Sequence, residues 1–173
     1  MGQHGSILSV SGPVVRAHAL GPVRMFEVAR VGREELIGEV VRLQNDVVDI
    51  QVYEETMGLR TGEPVWFSGD LLSVELGPGL LGSVLDGIGR PLVPLGRGSI
   101  FIPRGAQVAT LGRETAWPFS PAVTPGASVA PGSILGYVVE GADFPHAVMV
   151  PPGSRGGTVA TVASGTVLDL SGK

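Results

Sequence analysis

One stretch of this chain has the spacing of a nucleotide-binding motif. Gly77-Pro78-Gly79-Leu80-Leu81-Gly82 satisfies G-x-G-x-x-G, follows an apolar run and precedes a helical period. In a dinucleotide-binding unit such glycines let the backbone approach a pyrophosphate, and an acidic residue about 20 positions on takes a ribose hydroxyl. No acidic residue lies between Asp86 and Glu114, and the apolar period after Gly82 is too short for a βαβ helix. The glycines are therefore read as shaping a tight strand-to-helix turn. A phosphate-cradling loop, G-x-x-x-x-G-K-[ST], also needs a lysine to reach the terminal phosphates. The chain has a single lysine, Lys173; it follows Gly172, but Val167 stands where the first glycine belongs and no Ser or Thr comes after. No nucleotide, cofactor or metal site is expected in this chain, and no catalytic residue is assigned.

The remaining polar groups point the same way. Glu54 and Glu55 are adjacent carboxylates, but neighbours on a strand face opposite sides and cannot share one acid–base site, so the pair reads as a solvated strand end. His4, His18 and His146 are too scattered for a metal centre. His146, beside Pro145, reads as a packing or hydrogen-bonding residue, with ligation as the lesser alternative. Arg155-Gly156-Gly157 is one isolated RGG in a chain of net charge −4. An acidic chain lacks the positive footprint that drives nucleic-acid binding. The arginines more naturally supply fixed, bidentate contacts to carboxylates at interfaces. There is no cysteine, which excludes disulfides and thiolate chemistry. No apolar run is long enough to span a bilayer, and no secretory leader is read. The opening Met1-Gly2-Gln3-His4-Gly5-Ser6 fits the loose myristoylation pattern, against the simpler reading of a plain, unstructured start.

Short β-type runs punctuated by turn residues must carry these groups. The chain has 173 residues, 43% of them hydrophobic, with 27 glycines and 14 prolines dispersed among the apolar runs. That is the composition of a turn-rich all-β protein. Runs at 7–10, 14–18, 25–31, 36–43, 46–53, 65–67 and 71–76 predict a small closed or nearly closed antiparallel barrel. Within 46–53 the alternation is clean: Val48, Ile50 and Val52 on one face, Asp49, Gln51 and Tyr53 on the other. Leu80, Leu81, Val84 and Leu85 predict one short helix, stopped by Asp86-Gly87 and Pro91. Beyond Val93, the Pro-Gly pairs at 125–126 and 131–132 and the later runs at 148–150 and 157–162 predict a second β-rich module. Its spacing resembles the barrel-sandwich hybrid of biotinyl and lipoyl carriers. Such carriers load a lysine at a hairpin tip, and the equivalent 140–145 stretch has none, so a loaded carrier is excluded.

From Val31 to Leu92 the segments IGEVVRL, VYEETMGLRTGEPV and SVELGPGLLGSVLDGIGRPL resemble the N-terminal region of the catalytic A subunit of rotary vacuolar/archaeal-type ATPases. The resemblance extends to SGPVV upstream and to the PPG near Pro151, and is weakest over 97–117. It implies a crown β-barrel over 1–76, a connector over 77–92 and the bulge, or non-homologous insert, over 93–173. It further implies B subunits as neighbours in an alternating hexamer, peripheral stalk subunits beside the insert, and a place on the cytoplasmic face of a membrane without insertion into it. The parent enzyme would use Mg-ATP and couple hydrolysis or synthesis to proton or sodium translocation. Its nucleotide-binding residues would lie C-terminal to this chain. Two rivals stand beside this reading: a free-standing β-domain that binds proteins, and a translation-factor-like barrel that binds RNA.

Overall fold

A computed structural model describes residues 3–96, 102–141, 144–162 and 165–167. Six strands form a closed antiparallel barrel: β1 (Gln3–Ser11), β2 (Val14–Ala19), β3 (Glu27–Val31), β4 (Leu36–Gln44), β5 (Val47–Val52) and β6 (Pro64–Leu71), in the order β1-β2-β5-β4-β3-β6. Closure comes from β6, which pairs with β3 on one side and with β1 on the other, through Gln3↔Phe67 to Ser6↔Pro64. The β4–β5 hairpin turns at Asn45-Asp46, where Asn45 takes φ 55°, a left-handed conformation that asparagine tolerates better than most residues. Register shifts in β1, β3 and β4 supply the bends a small barrel needs.

The predicted alternation sets the core. Val48, Ile50 and Val52 point inward at 1%, 0% and 3% exposure, joined by Ile7, Val15, Leu36, Val40 and Val65. Ala17 and Ala29 are also fully buried and leave space for Phe67, the largest side chain of the interior. Each large side chain so buried contributes about 1.5–3 kcal/mol. Glu27 is the charged exception at 2% exposure: its carboxylate accepts the N–H groups of Arg24 at 2.9 Å and Gly69 at 2.6 Å.

Three sequence expectations need correction. The start read as unstructured is strand from Gln3 onward, because its backbone pairs with β6 to close the barrel. The run at 71–76 is not a strand beyond Leu71. With β6 already hydrogen-bonded on both edges, the barrel offers it no free ladder. The helix expected at 80–85 is instead a pair of turns, Leu80 N–H to Gly77 O and Ser83 N–H to Leu80 O. Gly79 and Gly82 sit at φ 100° and 79°, which no helix accommodates, and Leu81 and Val84 stay exposed, so the apolar stripe has nothing to cover. The short helix is α1 (Leu92–Leu95). Pro94 is tolerated there because first-turn N–H groups have no partner within the helix.

The chain divides into two compact units, Met1–Val74 with Asp86–Val108, and Glu75–Leu85 with Ala109–Lys173. In the second, β7 (Trp117–Pro121), β9 (Ile134–Glu140), β10 (Phe144–Met149) and β12 (Gly165–Val167) form a sheet of order β10-β9-β7-β12, and β8 (Ser128–Val129) pairs with β11 (Gly157–Thr158). Both predicted Pro-Gly turns are present, with Gly126 at φ 88° and Gly132 at φ 83°. In β9, Gly136, Val138 and Glu140 are buried while Tyr137 and Val139 are exposed. A side chain at Gly136 would strike the Phe119 ring and the Ser120 carbonyl.

Candidate functional site

Three polar constellations stand out, two in the barrel unit and one in the second unit. The first is centred on Arg90, whose side chain is 11% exposed between Glu54 at 10% and Asp86 at 16%. Arg90 Nε donates to Asp86 Oδ2 at 2.8 Å, and Nη1 donates to Glu54 Oε1 and to the Ala106 carbonyl, both at 3.1 Å. Asp86 Oδ1 also accepts the N–H groups of Ile88 and Arg90, at 3.1 and 2.8 Å. Glu54 Oε2 accepts the N–H of Gly105 at 2.8 Å. Gly105 lies at φ 64° with the Glu34 carbonyl where a Cβ would stand, so glycine alone delivers that N–H. Both carboxylates are consumed by partners, which makes this a structural clamp and not an acid–base pair. Glu54 and Glu55 lie just past the end of β5 and not on a strand, so the expected solvated strand end is corrected: the Glu54 side chain is buried in the clamp, and Glu55 accepts the Met57 N–H at 3.3 Å.

On the outer barrel wall, Arg16 donates to both oxygens of Asp49, at 2.7 and 3.2 Å, and Arg42 lies 3.7 Å away. Asp49 is only 9% exposed despite facing outward, because the two arginines cover it. The Arg16 hydrogen bonds hold the Asp49 carboxyl below the usual carboxylate range, against burial and with help from the charges of Arg16 and Arg42. At Asp86, burial pushes the carboxyl up, but the hydrogen bonds from Arg90 and Ile88 outweigh it and the net shift is also downward. A carboxylate depressed in the folded state adds stability that is present above its unfolded pKa and is lost as pH falls through the folded one. Barrel stability is therefore expected to hold on a plateau above about pH 5 and to decline below about pH 4. Urea titrations across that range check this, and Asp49→Asn should shrink the decline; an unchanged decline would remove Asp49 as a contributor.

In the second unit the glycine motif meets its partner. Gly79 and Leu81 donate their N–H groups to Glu140 Oε1, at 2.7 and 2.9 Å. The loop that could have cradled a phosphate thus cradles a carboxylate of its own chain. Glu140 is 4% exposed, and its other oxygen, Oε2, has no hydrogen-bond partner among the described residues; His146 Nδ1 is 3.9 Å from it.

The histidines stay apart. His4 stacks edge-on to Trp66 at 6.3 Å, and His18 meets Asp46 at 2.8 Å. Among the described residues no group of three or more His, Cys, Asp or Glu could hold a metal ion. The RGG has a local explanation: Gly156 takes φ 69°, and a Cβ there would lie 2.5 Å from the Val129 carbonyl. Met1 and Gly2 of the acylation pattern, Ala142 and Asp143 of the carrier-like tip, and Gly172 and Lys173 lie outside the described residues, as does the side chain of Val167. Arginine–carboxylate pairing, expected at interfaces, recurs within the chain at Arg16, Arg90 and Arg113. Sequence reasoning missed Arg90. Its available signal was the Asp86-Gly87-Ile88-Gly89-Arg90 turn, with opposite charges four residues apart across two glycines.

Among the described residues no helix is long and apolar enough to cross a membrane. Residues 7–69 match the family model for the ATP synthase alpha/beta family, beta-barrel domain, and residues 108–170 match that for the ATP synthase alpha/beta subunit barrel-sandwich domain. The chain is 45% identical to the catalytic A subunit of a V-type proton ATPase from Trypanosoma congolense, over 93% of its own length and 27% of the relative's. It is 48% identical to the A subunit of an A-type ATP synthase from Methanopyrus kandleri, again over 93% of this chain and 27% of that one. For a V-type ATP synthase alpha chain of Anaeromyxobacter dehalogenans the values are 49%, 93% and 28%.

Proposed function

Because the chain belongs to the ATP synthase alpha/beta family, with the β-barrel and barrel-sandwich domains of a V/A-type catalytic A subunit, we propose that it is a non-catalytic, assembly-bearing part of such a motor protein. The observation that carries this reading is the match over 93% of the chain to relatives named for V-type and A-type machines alike. The barrel holds alternating A and B subunits together as a crown while the nucleotide domains change shape. The second unit braces the head against the peripheral stalks. The complex couples ATP hydrolysis or synthesis to proton or sodium translocation, and Mg-ATP binds elsewhere in the full-length polypeptide. The head sits peripherally on the cytoplasmic face of its membrane.

Physical features support this division of labour. A closed barrel has no free edge to pair promiscuously, so it can offer its outer wall to neighbours without risk of strand exchange. That wall carries the Arg16–Asp49–Arg42 group, with exposed Leu8 next to Arg16, a mixture of fixed charge and apolar surface suited to a specific protein contact. Crosslinking within an assembled complex tests the proposal. Crosslinks from residues 1–76 are expected to reach other head subunits, chiefly B. Crosslinks that consistently reached the membrane sector or central rotor, and never another part of the head, would overturn it.

A further inference from the structure

The second unit contains a cavity of about 780 Å³, within the usual size range of small-ligand sites. Its position follows from the sheet register. Phe144, His146 and Val148 lie opposite Glu140, Val138 and Gly136, so they share a face of the sheet. Leu76, Leu111, Trp117, Phe144 and Met149 give that space mainly apolar walls, and the Glu75–Arg113 ion pair, at 2.7 and 2.8 Å, stands on its lining. His146 is the remaining titratable group there.

His146 is backed by an unfilled acceptor. Glu140 Oε1 already takes two backbone N–H groups, whereas Oε2 is buried and unbonded among the described residues, with His146 Nδ1 at 3.9 Å. A buried acceptor without a donor is costly, and a shift of about 1 Å would bring the imidazole to hydrogen-bond distance. A neutral imidazole that gives its Nδ1 proton to Oε2 is left with Nε2 as a bare acceptor. The site then asks for an apolar body and one donor.

We propose that this cavity binds a small ring-bearing molecule with a single hydroxyl or N–H donor, its apolar body against Trp117 and Phe144 and its donor on His146 Nε2. Glu140 is the positioning residue that fixes the His146 tautomer. The site is independent of the assembly role and could exist whether or not that role holds.

The probes are 4-methylphenol and 4-methylanisole, nearly alike in shape but with only the phenol able to donate. Binding is read by NMR from the Met149 methyl and the His146 ring of the intact chain. The phenol is expected to bind about tenfold tighter, the worth of one well-placed hydrogen bond. His146→Phe should reduce that preference to about twofold or less while leaving anisole binding in place. Glu140→Gln offers a sharper outcome. Its amide oxygen can still accept from Gly79 and Leu81, but its NH₂ would donate to Nδ1 and turn Nε2 into a donor, so the preference should vanish or reverse. Equal binding of the two probes to the native chain, no saturable shift at millimolar concentration, or a preference unaltered in both variants would overturn the proposal.

Discussion

Replacing Arg90 with methionine is expected to destabilise the barrel unit by about 3–5 kcal/mol. The side chains of Glu54, Asp86 and Arg90 are all at least four-fifths buried, so removing the cation leaves two buried carboxylates with backbone N–H donors but no opposite charge. The hydrogen bond to the Ala106 carbonyl goes with it. Urea unfolding followed by Trp66 fluorescence in a Trp117→Phe background reports on this unit. Adding Glu54→Gln and Asp86→Asn should recover much of the loss, because the penalty comes from the stranded charge more than from a missing attraction. A single-variant effect below about 1 kcal/mol, the range of exposed ion pairs, would mean that the clamp is solvated and not structural.

The second large effect is expected at Glu140. Its truncation to alanine strips the acceptor from Gly79 and Leu81 together and should cost about 1–3 kcal/mol of local stability, the net worth of two hydrogen bonds whose donors sit on exposed residues within reach of water. Glu140→Gln retains an acceptor oxygen and should stay within about 1 kcal/mol of the parent. Amide hydrogen exchange separates this from global unfolding. The Gly79 and Leu81 amides should exchange far faster in the alanine variant while those of the barrel ladder keep their protection. Unchanged exchange at Gly79 and Leu81 would show that the loop is held by something other than the carboxylate.

The barrel was legible because its information is local. Val48, Ile50 and Val52 announce a buried face through alternation alone, and the apolar runs at 14–18 and 36–43 fall on β2 and β4. What was not legible depends on register. Asp49 reads as an outward polar residue, which it is; only the pairing of β2 and β4 around β5 brings Arg16 and Arg42 over it. The glycine motif was readable as a turn, but its acceptor lies 61 residues from Gly79 and no spacing rule reaches that far. The misplaced helix has the same origin. An apolar period suggests a helix only if something exists for it to cover, and at 80–85 the loop is tied by its N–H groups to Glu140 while Leu81 and Val84 face outward. Arg90 is a long-range partner of Glu54 across 36 residues, and Gly105 across 51.

The order in which the barrel unit's parts leave the ribosome differs from the order in which they fit together. All six strands have been made by Leu71, so the ladder can close early. Yet Glu54 must wait for Arg90 and Gly105, and between them and the barrel the chain detours through residues 75–85, which belong to the other unit. A nascent barrel can therefore close its ladder before Glu54 has Arg90 and Gly105 beside it, with the segment 86–108 as a latch fitted afterwards. Maturation of the unit is thereby tied to translation having passed well beyond its last strand.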